Sequence, residues 1–335
     1  LTTTCCQIDL LKLFKNGFST GHGFLREPND IASYSALACI AIQSNQNDQH
    51  GGQSIPNFDF CMAPGVAKTY KKKFISNLSS ALAMLSGDEN AKDTAKQIVS
   101  DIKSEQKIEP TLAGSAEYGE ILLKKLEEKM SNESAKRAVK FIVENSVKET
   151  DRATYQAMEA LIHNLNTMHS RAGAQIPFSS LNYGTDTSEE GRMVMKNLLL
   201  AEEAGLGNGE TPIFPIHIFK VKEGINFNKE DINYDLFKLA CRVSAKRLFP
   251  NFSFLDAPFN LQYYKEGHPE TEATYMGCRT RVVANSYDKS REITYGRGNL
   301  SFTSINLPRI AINANGSIDW FFDELDRKID LVIDQ

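Results

Sequence analysis

The residues best suited to chemistry lie late in the chain. Cys278 stands in the run Met276-Gly277-Cys278-Arg279, with a glycine before it, so little bulk crowds the sulfur. A strand-like stretch, 279–284, follows. Gly298-Asn299 then reads as a turn, and a second strand-like run, 300–307, ends at Pro308. This order would present one sulfur at a loop tip facing a polar strand entrance. An adjacent thiol pair, Cys5-Cys6, lies in a run, 5–10, that reads as a short strand. Alternation along a strand would send the two side chains to opposite faces, so only one of them can enter a common interior. Cysteines often serve simply as small buried hydrophobes, and that reading suits Cys39, Cys61 and Cys241. Cys5, Cys6 and Cys278 neighbour polar residues or glycine. For these three, the residues alone leave both a functional and a structural role open.

Other chemistries find little support. The chain has no HExxH and no CxxC pair; His163 and His169 stand six residues apart. No G-x-G-x-x-G follows a strand, and no phosphate-binding GxxxxGK[ST] occurs. A net charge of −4 carries no electrostatic footprint for nucleic acid, so a bound nucleotide would be a small ligand. The apolar runs 36–42 and 198–201 are far too short to cross a bilayer, and no signal-peptide pattern opens the chain. Six cysteines in 335 residues without a secretion signal read as reduced thiols in a cytoplasmic protein. The Asn-x-Ser sequons at Asn77, Asn132, Asn251 and Asn315 then carry no meaning.

The elements that must position these residues read as α/β. With 41% apolar and 24% charged residues, the composition is that of an ordinary globular protein. Asn29 or Asp30 caps a helix over 32–43. The polar run 45–54 reads as a solvated loop or, functionally, as a pocket wall with a Gly51-Gly52 close-approach point. Apolar residues spaced three and four apart predict helices over 66–85, 89–107 and 117–168, the last bending or breaking near Asn132 and Asp151. Their mixed-charge faces suit solvent or a helix-packed dimer. From 177 onward strands and helices alternate. Strands are expected at 177–184, 212–221 and 251–255, and helices at 189–204, 235–249 and from Ile318. The chain starts at Leu1 and ends at Gln335 within the amphipathic pattern 318–333, which reads as a fragment of a longer protein.

Taken together, several strings resemble one family, the anaerobic (class III) ribonucleotide reductases, which are glycyl-radical enzymes. They are 5–10 followed by Asn16-Gly17-Phe18, Gln49-His50-Gly51-Gly52, Met62-Ala63-Pro64-Gly65-Val66, and the run from His169 through Arg171-Ala172-Gly173 to Pro177-Phe178. Further along come Gly205-Leu206-Gly207, Thr211-Pro212-Ile213-Phe214-Pro215, Ala245-Lys246-Arg247 and Met276-Gly277-Cys278-Arg279. Their order covers nearly the whole chain.

The resemblance implies a ten-stranded α/β barrel, here incomplete, with a large mainly helical segment. Residues 1–63 would supply the first strand, loop and helix. Residues 64–170 would be the helical segment and possible dimer or effector region, and 171–335 the barrel portion with the cysteine loop. Cys278 would form the thiyl radical and remove the ribose 3′-hydrogen. A cysteine of the first strand, Cys5 in preference to Cys6, would deliver hydrogen to the opposite face of the sugar. Asn299 matches an active-site asparagine near the ribose hydroxyls, which suits formate as co-substrate.

The implied glycyl radical sits on a C-terminal glycine that this chain lacks. A structural zinc site is expected only in that missing region, and the N-terminal cone domain is also absent, so the fragment alone would be inactive. Implied partners are the ribonucleoside triphosphate substrate, ATP and dNTP effectors, an S-adenosylmethionine iron–sulfur activating enzyme and a second copy in a homodimer. Neither nucleic acid nor membrane is implied. A pyruvate formate-lyase-like enzyme would also carry an adjacent cysteine pair, but at the loop tip rather than on the first strand. A catalytically inactive nucleotide-binding protein is the other alternative.

Overall fold

Caps set where the principal helices begin. The Asp30 carboxylate accepts from the Ser33 backbone N–H at 2.9 Å, and the Ser33 hydroxyl accepts from the Asp30 N–H at 3.1 Å, a reciprocal box that opens the helix after Asp30. Ser131 and Ser188 likewise accept from backbone N–H groups three residues on. The structure, a computed structural model, describes residues 4–171, 173–277, 280–283, 285, 287–300 and 302–335.

The elements run in the order β1 (Thr4–Gln7), α1 (Leu10–Asn16), β2 (Phe18–Ser19), β3 (Phe24–Leu25), α2 (Ile31–Asp48) and β4 (His50–Ile55). Four helices follow: α3 (Phe58–Ser86), α4 (Ala91–Gln106), α5 (Ser115–Glu127) and α6 (Asn132–Thr167). Then come β5 (Ser179–Tyr183), α7 (Glu189–Ala204), β6 (Ile216–Val221), α8 (Tyr234–Arg247), β7 (Asn251–Phe254) and the short α9 (Pro258–Leu261). The chain continues through β8 (Thr274–Met276), β9 (Thr280–Val282), β10 (Gly298–Asn299), α10 (Leu307–Ala314) and α11 (Ile318–Asp334).

One sheet organises the site. Its strand order is β10-β1-β4-β5-β6-β7, with every pair from β1 to β7 parallel and β10 antiparallel at the edge. Parallel neighbours need crossovers, and helices supply them. One core lies between this sheet and α1, α2, α7, α8 and parts of α3 and α6, with Ile55, Leu181, Tyr183 and Phe219 facing it. A second core, built on Tyr70, Phe74, Leu122 and Ile142, joins the far halves of α3 and α6 to α4 and α5. α3 and α6 contribute to both cores; at 36 residues α6 is about 54 Å long, enough to span them.

Several expectations change. The polar run 45–54 is not a loop: α2 continues to Asp48, and β4 is an interior strand of the sheet. Its buried polar side chains, Gln53 and Ser54, face other polar groups of the interior instead of water. α6 breaks before Asn132 but passes through Asp151 without interruption. The described residues of the run 300–307 form no strand: pairing stops after Asn299 and α10 begins at Leu307. Gly298-Asn299 is itself the paired edge and not a turn. Cys241 is exposed on α8, whereas Cys39 and Cys61 are buried.

Candidate active site

The two faces of the sheet carry different chemistry. Helix-facing positions are mostly apolar. The opposite face carries Gln7, Ser54, Asn182 and Lys220, all buried, and strand alternation adds Ser180 and Ser253. β8 crosses this polar face. Gln7 donates from Nε2 to the Thr274 hydroxyl at 3.0 Å, and the Ser54 hydroxyl donates to the Tyr275 carbonyl at 2.7 Å. Asn182 donates to that carbonyl at 3.0 Å and accepts from the Tyr275 N–H at 2.9 Å.

Beyond β8, Gly277 meets β4. A Cβ on Gly52 would fall on the Gly277 backbone, and a Cβ on Gly277 would lie 3.2 Å from the Gly52 Cα. Two backbones approach this closely only because neither residue has a side chain. Gly277 also takes its φ of +50° without the strain a side chain would add. Cys278 and Arg279, the next residues, lie outside the described residues.

Cys5 and Cys6 have different surroundings. The Cys5 sulfur accepts from the Gly52 N–H at 3.1 Å, and a Cβ on Gly51 would stand 2.5 Å from that sulfur. Cys6 turns towards α2: its sulfur accepts from Asn45 Nδ2 at 2.9 Å and donates to Gln53 Oε1 at 3.3 Å. Burial pushes the Cys6 thiol up to about 11, against the lowering effect of the Asn45 contact. Simple alternation does not produce this separation. Thr4 pairs with Asn299 and Cys6 with Gly298, so Cys5 is the extra residue of a bulge, at a φ of +44°. A non-glycine residue in that region costs about 1–3 kcal/mol, and such strain clusters at functional sites.

Asn299 occupies the sheet edge opposite Thr4. It lines a surface cleft of about 470 Å³ together with Cys6, Lys12, Asn45, Gln49 and Arg297. Asn299 thus pairs with Thr4, one residue beyond the Gly298 that pairs with Cys6, and Cys5 lies where Gly52 meets Gly277.

A buried charged cluster holds the other end of β8. Lys220 donates to Glu272 at 2.6 Å and also to Asn57 Oδ1, while Thr185 donates to the same Glu272 oxygen at 2.9 Å. Burial raises the Glu272 carboxyl above the ordinary range even though Lys220 opposes this. Asp59 Oδ2 accepts three backbone N–H groups, from Gly184, Thr185 and Asp186, at 2.8, 3.1 and 3.1 Å. Beside it, burial and then the Asp59 charge lift Asp186 to about 6. On the helix side of the sheet, Tyr183, His217 and Glu202 form a separate buried polar row.

Sequence reasoning passed over Asn182, Lys220, Glu272 and Asp59. One signal was present: Lys220 sits inside the otherwise apolar run Ile218-Phe219-Lys220-Val221, where a charge must find a buried partner.

Comparison with known proteins places this arrangement. A family described as anaerobic ribonucleoside-triphosphate reductase matches residues 1–335. The chain belongs to that family. The anaerobic ribonucleoside-triphosphate reductase of Enterobacteria phage T4 is 28% identical over 313 residues, covering 93% of this chain and 41% of that protein. The protein of that name from Escherichia coli strain K12 is 28% identical over 326 residues, covering 97% and 37%. That of Salmonella typhimurium strain LT2 is 27% identical over 328 residues, covering 98% and 37%. The chain thus spans roughly two-fifths of these reductases. Among the described residues, no helix is long and apolar enough to cross a membrane.

Proposed function

We propose that this chain is the cysteine-bearing part of an enzyme that reduces ribonucleoside triphosphates to 2′-deoxyribonucleoside triphosphates without oxygen. The observation that carries this reading is the meeting of Gly52 and Gly277 beside the Cys5 sulfur, which brings the residue before Cys278 to the first strand. Two thiols on opposite sides of a ribose are what hydrogen removal at C3′ and hydrogen return at C2′ require. Cys278 takes the 3′-hydrogen, the 2′-hydroxyl takes up a proton and leaves as water, Cys5 gives a hydrogen atom to C2′ from the other face, formate supplies the two electrons of the net reduction, and Cys278 returns its hydrogen to C3′. Asn299 at the sheet edge hydrogen-bonds the ribose hydroxyls as donor and acceptor without titrating.

The unpaired electron comes from a glycyl radical on a glycine outside these 335 residues, where a structural zinc would also lie. Formate serves as reductant and leaves as carbon dioxide. The partners are an S-adenosylmethionine iron–sulfur activating enzyme, ATP and dNTP effectors bound near the helices of residues 64–170, and a second copy in a homodimer. The setting is the cytoplasm. The six-stranded sheet forms part of a ten-stranded barrel completed by the remaining chain. The pattern of two thiols on separate elements favours this reading over a lyase, which would use an adjacent pair at one loop tip.

The test uses the full-length, activated enzyme. Cys278→Ala should abolish deoxynucleotide formation while the glycyl radical still appears by electron paramagnetic resonance; retained reduction would remove Cys278 from the mechanism. Cys5→Ser should cost far more turnover than Cys6→Ser. Labelled formate should yield labelled carbon dioxide in step with deoxynucleotide.

A further inference from the structure

We infer that Asn182 is a positioning residue that fixes the strand leading to Cys278, with Ser54 as its partner. The inference rests on the reading of Cys278 as the radical-bearing residue. Among the described residues, β8 pairs along one side with β9, with Tyr275 opposite Arg281. Its other side meets the sheet through side chains. Both backbone polar groups of Tyr275 are taken this way: the N–H by Asn182 Oδ1, and the carbonyl by Asn182 Nδ2 and the Ser54 hydroxyl. The amide of Asn182 thus acts as a substitute strand, one donor and one acceptor at ladder spacing. Its Nδ2 also lies 3.1 Å from both Ser54 Oγ and the Ile55 carbonyl, so the amide has one workable orientation.

The attachment continues along the strand. Glu272 is held by Lys220, Thr274 by Gln7 and Tyr275 by Asn182, and Gly277 abuts Gly52. Each of the holding side chains is buried. Tyr275 is three residues before Cys278, and a displacement of about 1 Å at a reacting group can cost roughly 100-fold in rate. The geometry of the amide makes a specific demand. A carboxylate at this position would be nearly isosteric and would still accept from the Tyr275 N–H, but its other oxygen would face the carbonyls of Tyr275 and Ile55.

The experiment uses the full-length, activated enzyme. Asn182→Ala should lower kcat by about 100-fold with KM within about twofold of wild type. The glycyl radical signal should be unchanged. Asn182→Asp should fall below Asn182→Ala, although shape alone would rank it higher. Before activation, alkylation of Cys278 by iodoacetamide, followed by peptide mass spectrometry, should be faster in both variants; this readout does not depend on turnover. Unchanged alkylation, or an Asn182→Asp enzyme more active than Asn182→Ala, overturns the inference. If Asn182→Ala does not accept the radical, Ser54→Ala decides: a several-fold loss of kcat with a normal radical supports the role, and an unchanged kcat refutes it. Absence of reduction by the wild-type enzyme would instead sink the proposed function and leave the alkylation result standing.

Discussion

Replacing Lys220 with methionine removes the cation that the Glu272 carboxylate touches at 2.6 Å, from a site where Lys220 is fully buried. At that separation the attraction is about 6 kcal/mol for an effective dielectric constant near 20. Desolvation of both charges already offsets part of it, so the expected loss is about 3–5 kcal/mol, the range seen when one member of a buried pair is removed. The carboxylate can escape this cost by taking up a proton. Its folded pKa is already raised by burial, and Lys220 is the main influence opposing that rise, so losing the lysine raises it further.

The sign follows. A raised carboxyl favours the folded state below its unfolded value near 4.5 and loses that contribution as pH rises through the folded value. The gap between wild type and Lys220→Met should therefore be small near pH 5, about 1–3 kcal/mol from the orphaned Asn57 acceptor, and should widen towards pH 8. Asp186, lifted to about 6, adds a pH dependence of the same sign to both proteins and largely drops out of the difference. Urea unfolding followed by circular dichroism at several pH values gives the difference directly. Lys220→Met combined with Glu272→Gln should recover most of the loss, since no buried charge is then left unpaired. A gap below about 1 kcal/mol near pH 8, or one that widens as pH falls, would refute the account of Glu272 as a charge held by Lys220.

Thiol reactivity should follow burial. Exposed Cys241 should alkylate first, Cys6 slowly because burial holds its thiol near 11, and buried Cys39 and Cys61 only on unfolding; peptide mass spectrometry after a brief pulse reads the order. Gly52→Ala should abolish turnover in the full-length enzyme, because its Cβ would collide with the Gly277 backbone. Gly23→Ala, with open space around it, should be nearly silent in the same assay.

The helices and most strands were legible because burial imposes a period. α7 (Glu189–Ala204) coincides with the stretch read from apolar spacing, and α8 and β7 lie within about two residues of theirs. The failures share a cause. β4 was read as a loop because His50-Gly51-Gly52-Gln53-Ser54 has no apolar face, although it lies inside the sheet. A strand whose inner face meets polar groups and whose neighbour needs glycine cannot show the hydrophobic alternation on which strand recognition depends. The 300–307 run failed in the opposite direction: its alternating apolar residues resemble a strand, yet Leu300, Phe302 and Leu307 are exposed in this chain.

The candidate site was legible only where it depended on residue type. Cysteines and an asparagine can be picked out one by one, but the side on which a sulfur lies depends on backbone geometry. Cys5 and Cys6 separate through a bulge, with Cys5 at positive φ, and not through the regular alternation that adjacent strand residues suggest. The bulge has a further consequence for the proposed chemistry. Relaxing Cys5 into an ordinary extended conformation would relieve about 1–3 kcal/mol of local strain but would turn the sulfur away from the Gly52 N–H. Two glycines leave room for the strained conformation: a Cβ on Gly51 would stand 2.5 Å from the Cys5 sulfur, and one on Gly298 would stand 3.0 Å from the Cys5 carbonyl. The glycines around the first strand, and not the cysteines alone, therefore determine which thiol faces the strand that leads to Cys278.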